Sequence, residues 1–229
     1  MKYLLLGGLA FAGAFGLPHE ATAVEVTIGQ TKIELVGPKD FCQLDKKHSL
    51  DSQVLDLTQQ TIQGRNELLA MFADCARLAA WHDGKADDLG NTFDFQVSLK
   101  AKNLNATKAA VTDICGALRK QAAEISKTAE GLAASNIKAI KELVGKVEFN
   151  SLQIYGILHE DDTGCFFGGV LKMKIEDKVE VLFNVGAVTV VRSRLVFANH
   201  GGDSKDESAA KRLLATSRET VAALRARNR

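Results

Sequence analysis

Only two prolines, Pro18 and Pro38, occur among the 229 residues, so most element interiors can run on without a helix breaker or a lost ladder donor. Aromatics are sparse too, 6% with a single tryptophan, a poor supply of base-stacking platforms. Neither sign of charge prevails: 29 Lys and Arg stand against 28 Asp and Glu. No field therefore favours nucleic acid or an anionic membrane, and the composition argues against a nucleic-acid partner. Beyond residue 17 no apolar run approaches the roughly 20 residues of a membrane helix. No membrane span is expected in the mature chain. A GxSxG elbow, HExxH, a Walker A loop and a GxGxxG turn are all missing, which removes the commonest sequence-legible chemistries.

What is present begins with an export signal. Lys2 supplies a positive start, Tyr3 to Leu17 is an uncharged apolar run, Pro18 breaks it, and "ATA" at 21–23 has the small-x-small pattern of a cleavage site. This organisation predicts a signal peptide at 1–23, a single α+β domain at 24–229, and a destination in the periplasm or outside the cell. No cysteine stands at the cleavage point, so a lipid anchor is not indicated.

Four cysteines remain, Cys42, Cys75, Cys115 and Cys165. In an oxidising compartment an even count reads first as disulfides, and the spacing matches no paired CxxC zinc arrangement. Of three possible connectivities, Cys42–Cys75 and Cys115–Cys165 join segments that the element pattern makes neighbours.

That pattern starts with a hairpin, Val24–Ile28 and Ile33–Leu35 alternating about "GQT". Leu50, Val54, Leu57 and Ile62 recur at helical spacing, with Ser49 or Asp51 available as caps. "NELLAMFADC" reads as a buried strand, "ARLAAWHDG" as a short helix and "TFDFQVSLKA" as a strand. From Thr107 to Val144 the period is helical. Four strands follow as a meander, "KVEFNSLQIYGILHE", "CFFGGVLKMKIED", "KVEVLFNVGAV" and "VVRSRLVFANH". The chain closes with an amphipathic helix whose stripe is Ala210, Leu213, Leu214, Ser217, Val221 and Leu224. Arg212, Arg218 and Arg225 lie outside that stripe, on a face expected to be solvated. Strands, helices and a final meander together define an α+β fold, mainly antiparallel sheet flanked by helices.

The stretch "HEDDTGCFFGG" at 159–169 is the foremost candidate for chemistry, with His82 a second. His159 with Glu160, Asp161 and Asp162 offers ligands for a divalent cation, although the six to eight oxygens usual for calcium are not in evidence. The same acids before Thr163-Gly164 also fit a polar hairpin tip. They would raise the pKa of a free Cys165 thiol and spoil it as a nucleophile. His82 has Asp83 beside it, the usual partner type of a ligand or base. Neighbours on a strand point apart, however, and adjacency alone proves little.

"GPKDFCQLD", "GRNELLAMFADCARLAAWHDG", "DICGALRKQ", "YGILHEDDTGCFFGG" and "SRETVAALRARN" together resemble a group of uncharacterised exported proteins of Gram-negative bacteria, in which the four cysteine positions recur. The element order also resembles the PsbP-like α+β sandwich, an antiparallel sheet flanked by helices. The resemblance implies an accessory or binding role without enzymatic activity, with a periplasmic protein or small molecule as partner and no cofactor. The alternative is a metal-dependent hydrolase or cation-binding protein using His159, Glu160, Asp161 and Asp162.

Overall fold

Alternation becomes pairing along the whole C-terminal half. In the computed structural model, which describes residues 23–120, 124, 147–175, 178–203 and 207–229, the four expected strands are β6 (Val147–Glu160), β7 (Cys165–Ile175), β8 (Lys178–Val191) and β9 (Arg194–Asp203). Residues 1–22 of the signal peptide expected at 1–23, and the helical pattern from 121 to 146 apart from residue 124, lie outside the described residues.

The N-terminal hairpin forms as β1 (Ala23–Ile28) and β2 (Thr31–Val36), antiparallel and separate from the main sheet. Next come β3 (Phe41–Gln43), α1 (Ser49–Ile62), β4 (Asn66–Asp74), α2 (Cys75–His82) and β5 (Thr92–Ser98). A helix at 108–120, here α3, precedes β6, and α4 (Glu207–Arg227) ends the chain. The main sheet has seven strands in the order β3-β4-β5-β9-β8-β7-β6, every pair antiparallel. The protein is therefore α+β, a large antiparallel sheet flanked by helices. Its central join is β5 to β9, formed across more than a hundred residues of chain (Phe95 opposite Ala198).

Period two sorts the side chains between two faces. On one face Phe72, Phe93, Phe95, Phe166, Val185 and Val196 are fully enclosed with Ile33 and Leu35 of the hairpin and Val221 and Leu224 of α4. It is the largest apolar cluster among the described residues, and burial of apolar area at ~25 cal/mol per Å² favours the fold accordingly. The opposite face carries two smaller clusters. Leu55 of α1 and Leu78 of α2 pack on Met71 and Ala73, while Val111 and Cys115 of α3 pack on Cys165, Val188 and Leu195.

Both expected disulfides are present. Cys42–Cys75 joins β3 to the start of α2, and Cys115–Cys165 joins α3 to the start of β7. Gly164, one residue before that second staple, lies so close to β8 that a Cβ there would come within 2.6 Å of the Val188 carbonyl oxygen. Only glycine admits that approach.

α1 departs from the expected stripe. Its buried residues are Asp51 and Leu55, whereas Leu50, Val54, Leu57 and Ile62 are half-buried. The N-cap is neither Ser49 nor Asp51 but His48, whose side chain makes no capping hydrogen bond. Asp51 instead faces backward, its Oδ2 accepting the Asp45 N–H at 2.8 Å. The helix has turned a carboxylate inward.

Candidate functional site

The acidic turn at 159–164 is clamped by the protein's own cations. Asp161 Oδ1 accepts the Thr163 N–H at 2.8 Å and the Thr163 hydroxyl at 2.5 Å. Its Oδ2 lies 3.0 Å from His159 Nε2 and 3.3 Å from an Arg218 nitrogen of α4. Burial pushes this carboxyl up, but the Thr163 hydroxyl and N–H, His159 and the Gly164 N–H together hold it at about 2. Lys108 of α3 pairs with Asp162 and depresses that carboxyl as well. Arg119 pairs with Glu160, and Arg225 donates to the Asp162 carbonyl. The face of α4 expected to be solvated is thus partly engaged: Arg218 and Arg225 hold this turn from one side, and α3 holds it from the other.

A second constellation is assembled from two segments. His48 precedes α1, Asp51 sits in its first turn and His82 ends α2. Asp51 is 1% exposed. Its Oδ1 is 2.5 Å from His82 Nε2 and 3.4 Å from His48 Nδ1. The two imidazoles stack, centroids 3.7 Å apart with planes inclined by 29°. His48 Nδ1 is buried without a hydrogen bond. The carboxylate that meets His82 is therefore not its neighbour Asp83, whose side chain takes Lys85 at 2.7 Å. The only sequence signal was the His48, Asp51 spacing at a helix start. Nothing local points from there to residue 82.

Close by, a cavity of about 720 Å³ opens between α1 and the sheet margin. β3 pairs only with Phe72, Ala73 and Asp74, so among the described residues the earlier part of β4 has no strand on that side. Leu44, Leu55, Leu68 and Met71 supply apolar wall, and Gln43, Asp45, Lys46 and Asp56 supply polar groups. Gln59 spans the gap, accepting the Leu68 N–H at 2.8 Å and donating to the Asn66 carbonyl at 3.3 Å.

Two further polar groups lie on the central strands, Asp94 half-buried and His200 buried. Asp94 on β5 accepts from Gln96 at 2.7 Å and from Asn199 at 3.0 Å. Burial still pushes its carboxyl up to about 6, against the opposing pull of those amides. His200 on β9 is 3% exposed, with Nδ1 3.1 Å from the Leu213 carbonyl. Ser217 Oγ lies 3.4 Å from the same nitrogen but donates to Leu213 O at 2.8 Å. This buried hydroxyl is spent on its own helix, so the pair has neither the free proton nor the access of a nucleophile and base.

No family model matches the chain, and no curated protein matches it. Among solved structures it is similar to the solution structure of cyanobacterial PsbP (CyanoP) from Synechocystis sp. PCC 6803, at 12% identity over 94% of this chain and 96% of that one, with a TM-score of 0.36. A likeness of that strength carries no argument. The α+β architecture rests on the sheet order and the placement of the helices. No described helix is long and apolar enough to cross a membrane.

Proposed function

We propose that this is an exported, periplasmic accessory or binding protein that holds a small amphipathic molecule and performs no chemistry on it. The observation that carries the reading is the cavity of about 720 Å³ over the unpaired margin of β4, within the range of roughly 300–1,000 Å³ typical of small-molecule sites. Its apolar wall of Leu44, Leu55, Leu68 and Met71 suits a hydrocarbon or ring body. Lys46, Asp56 and Gln43 at the rim suit a hydrogen-bonding or zwitterionic end. Export accords with the apolar N-terminal run and with two disulfides.

The test is native mass spectrometry of protein purified from a periplasmic extract, followed by identification of any released species. A bound molecule of small mass is expected, and Leu68→Trp, which fills the cavity from a half-buried position, should abolish it. Protein that carries nothing and shows no melting shift with a periplasmic small-molecule extract would end the reading. So would turnover of a substrate in a hydrolase panel.

A further inference from the structure

We infer that His48, Asp51 and His82 form a binding site for one divalent transition-metal ion of the Zn²⁺ or Cu²⁺ kind. Their donor atoms, one per residue, lie within 4.8 Å of one another. Tetrahedral zinc with bonds of about 2.1 Å places its ligand atoms roughly 3.4 Å apart. To reach that spacing, Asp51 Oδ1 must retreat from His82 Nε2, now at 2.5 Å, it stays near its 3.4 Å from His48 Nδ1, and the two ring nitrogens, within 4.8 Å of each other, must close on the ion.

Charge makes the stronger argument. A carboxylate that is 1% exposed needs compensation, because an unpaired buried charge is costly. Among the described residues no lysine or arginine reaches Asp51. Only the two imidazoles and the Asp45 N–H do. Neutral imidazoles bring no positive charge, and two imidazolium rings stacked at 3.7 Å would repel. One neutral arrangement, His82 donating to Asp51, still leaves His48 Nδ1 buried without a partner. A divalent ion resolves all three demands at once, neutralising the carboxylate and taking a lone pair from each ring.

The surroundings support the donors as they would in a built site. Asp51 Oδ2 is held by the Asp45 N–H, the outer contact that fixes a ligating carboxylate. The Cys42–Cys75 staple ties the segment before α1 to the start of α2, holding the two helices that bring the ligands together. Two nitrogens and one oxygen favour a borderline ion over calcium or magnesium, which take oxygen shells. The imidazoles keep 40% and 26% side-chain exposure, leaving an approach for the ion and a fourth position for water.

This inference is independent of the cavity reading. It is tested on untagged, chelator-stripped protein titrated with Zn²⁺ by calorimetry and with Co²⁺ by visible absorption. One ion per chain is expected, with the intense visible bands of four-coordinate Co²⁺ and no binding of Ca²⁺ or Mg²⁺ at the same site. His82→Ala should weaken Zn²⁺ affinity at least 100-fold. His48→Ala, which removes a partly exposed ring and keeps the Leu55 contacts, should weaken it at least 10-fold without a change in the circular dichroism spectrum. His159→Ala should leave affinity unchanged. A stripped protein that takes up no Zn²⁺, or affinity kept in both the His48 and His82 variants, would overturn the site. So would loss of binding in His159→Ala.

Discussion

Gln59 stands in for a strand beside Leu68. Its side-chain amide accepts the Leu68 N–H and donates to the Asn66 carbonyl, edge groups of β4 beyond the reach of β3. One residue of α1 therefore holds part of the sheet margin and lines the cavity.

Gln59→Ala should hand both part-buried backbone groups to water from the cavity. The net worth of a hydrogen bond is about 0.5–1.5 kcal/mol, and a chain of this size loses roughly 2–4 °C of Tm per kcal/mol. Urea unfolding of the variant should show a lower midpoint with an unchanged slope, because the fold itself persists.

Asp94 makes stability fall as pH rises. Its carboxyl is held at about 6 in the fold against an ordinary value of 3.8, so the folded state retains the proton longer than the unfolded chain does. The contribution is fully present below pH 4 and is lost as pH rises through about 6. Asp94→Asn keeps an oxygen for Gln96 and Asn199 and removes the titration. The variant should match the wild type near pH 4 and exceed it by on the order of 2–3 kcal/mol above pH 7. Chemical denaturation at four or five pH values measures the gap.

His200 acts in the opposite sense. Burial lowers its pKa to about 4, only partly offset by the Leu213 carbonyl, and its Nε2 has no hydrogen-bond partner among the described residues. Stability from this group is complete above about pH 6.5 and is lost as pH falls through about 4. His200→Phe suits the edge-on contact with Phe41 and the tilted one with Phe93 and leaves the Leu213 carbonyl to Ser217. The difference in stability between variant and wild type should move in the variant's favour as pH drops from 6.5 to 4. A difference flat across that window would show that the ring does not titrate with folding.

The two staples close loops of 33 and 50 residues, each worth about 4 kcal/mol in the chain-entropy model. Cys115→Ala with Cys165→Ala should lower stability by a few kcal/mol and loosen α3 from the acidic turn. Reduction of both bonds should take the protein below the usual folding margin of about 5–15 kcal/mol or close to its floor. Urea titration with and without reductant measures this, and non-reducing peptide mapping should recover both cross-linked pairs.

The elements were legible where one period dominates a segment. Phe93, Phe95 and Val97 announce β5, and the four final strands announce a meander, because a strand with one enclosed face must alternate. The disulfide pairs followed from the same map, since bonded cysteines must sit on neighbouring elements. In α1 the apolar stripe misled. Leu55 and Asp51 face inward together, and a buried carboxylate has no signature in a hydrophobic pattern.

Sequence by itself determined the α+β class, most of the element order and the acid-rich turn, which depend on local periodicity or on the residue types within one segment, and it favoured one of three cysteine pairings; the short strand β3 after Pro38 was not foreseen. Tertiary structure decided everything that needs separated segments to meet. It sent Arg218, Arg225, Lys108 and Arg119 to the acidic turn, and it carried His82 to Asp51 across 31 positions. Those distances are set by how helices pack on a sheet, a long-range balance of burial and charge that no single stretch of the chain records.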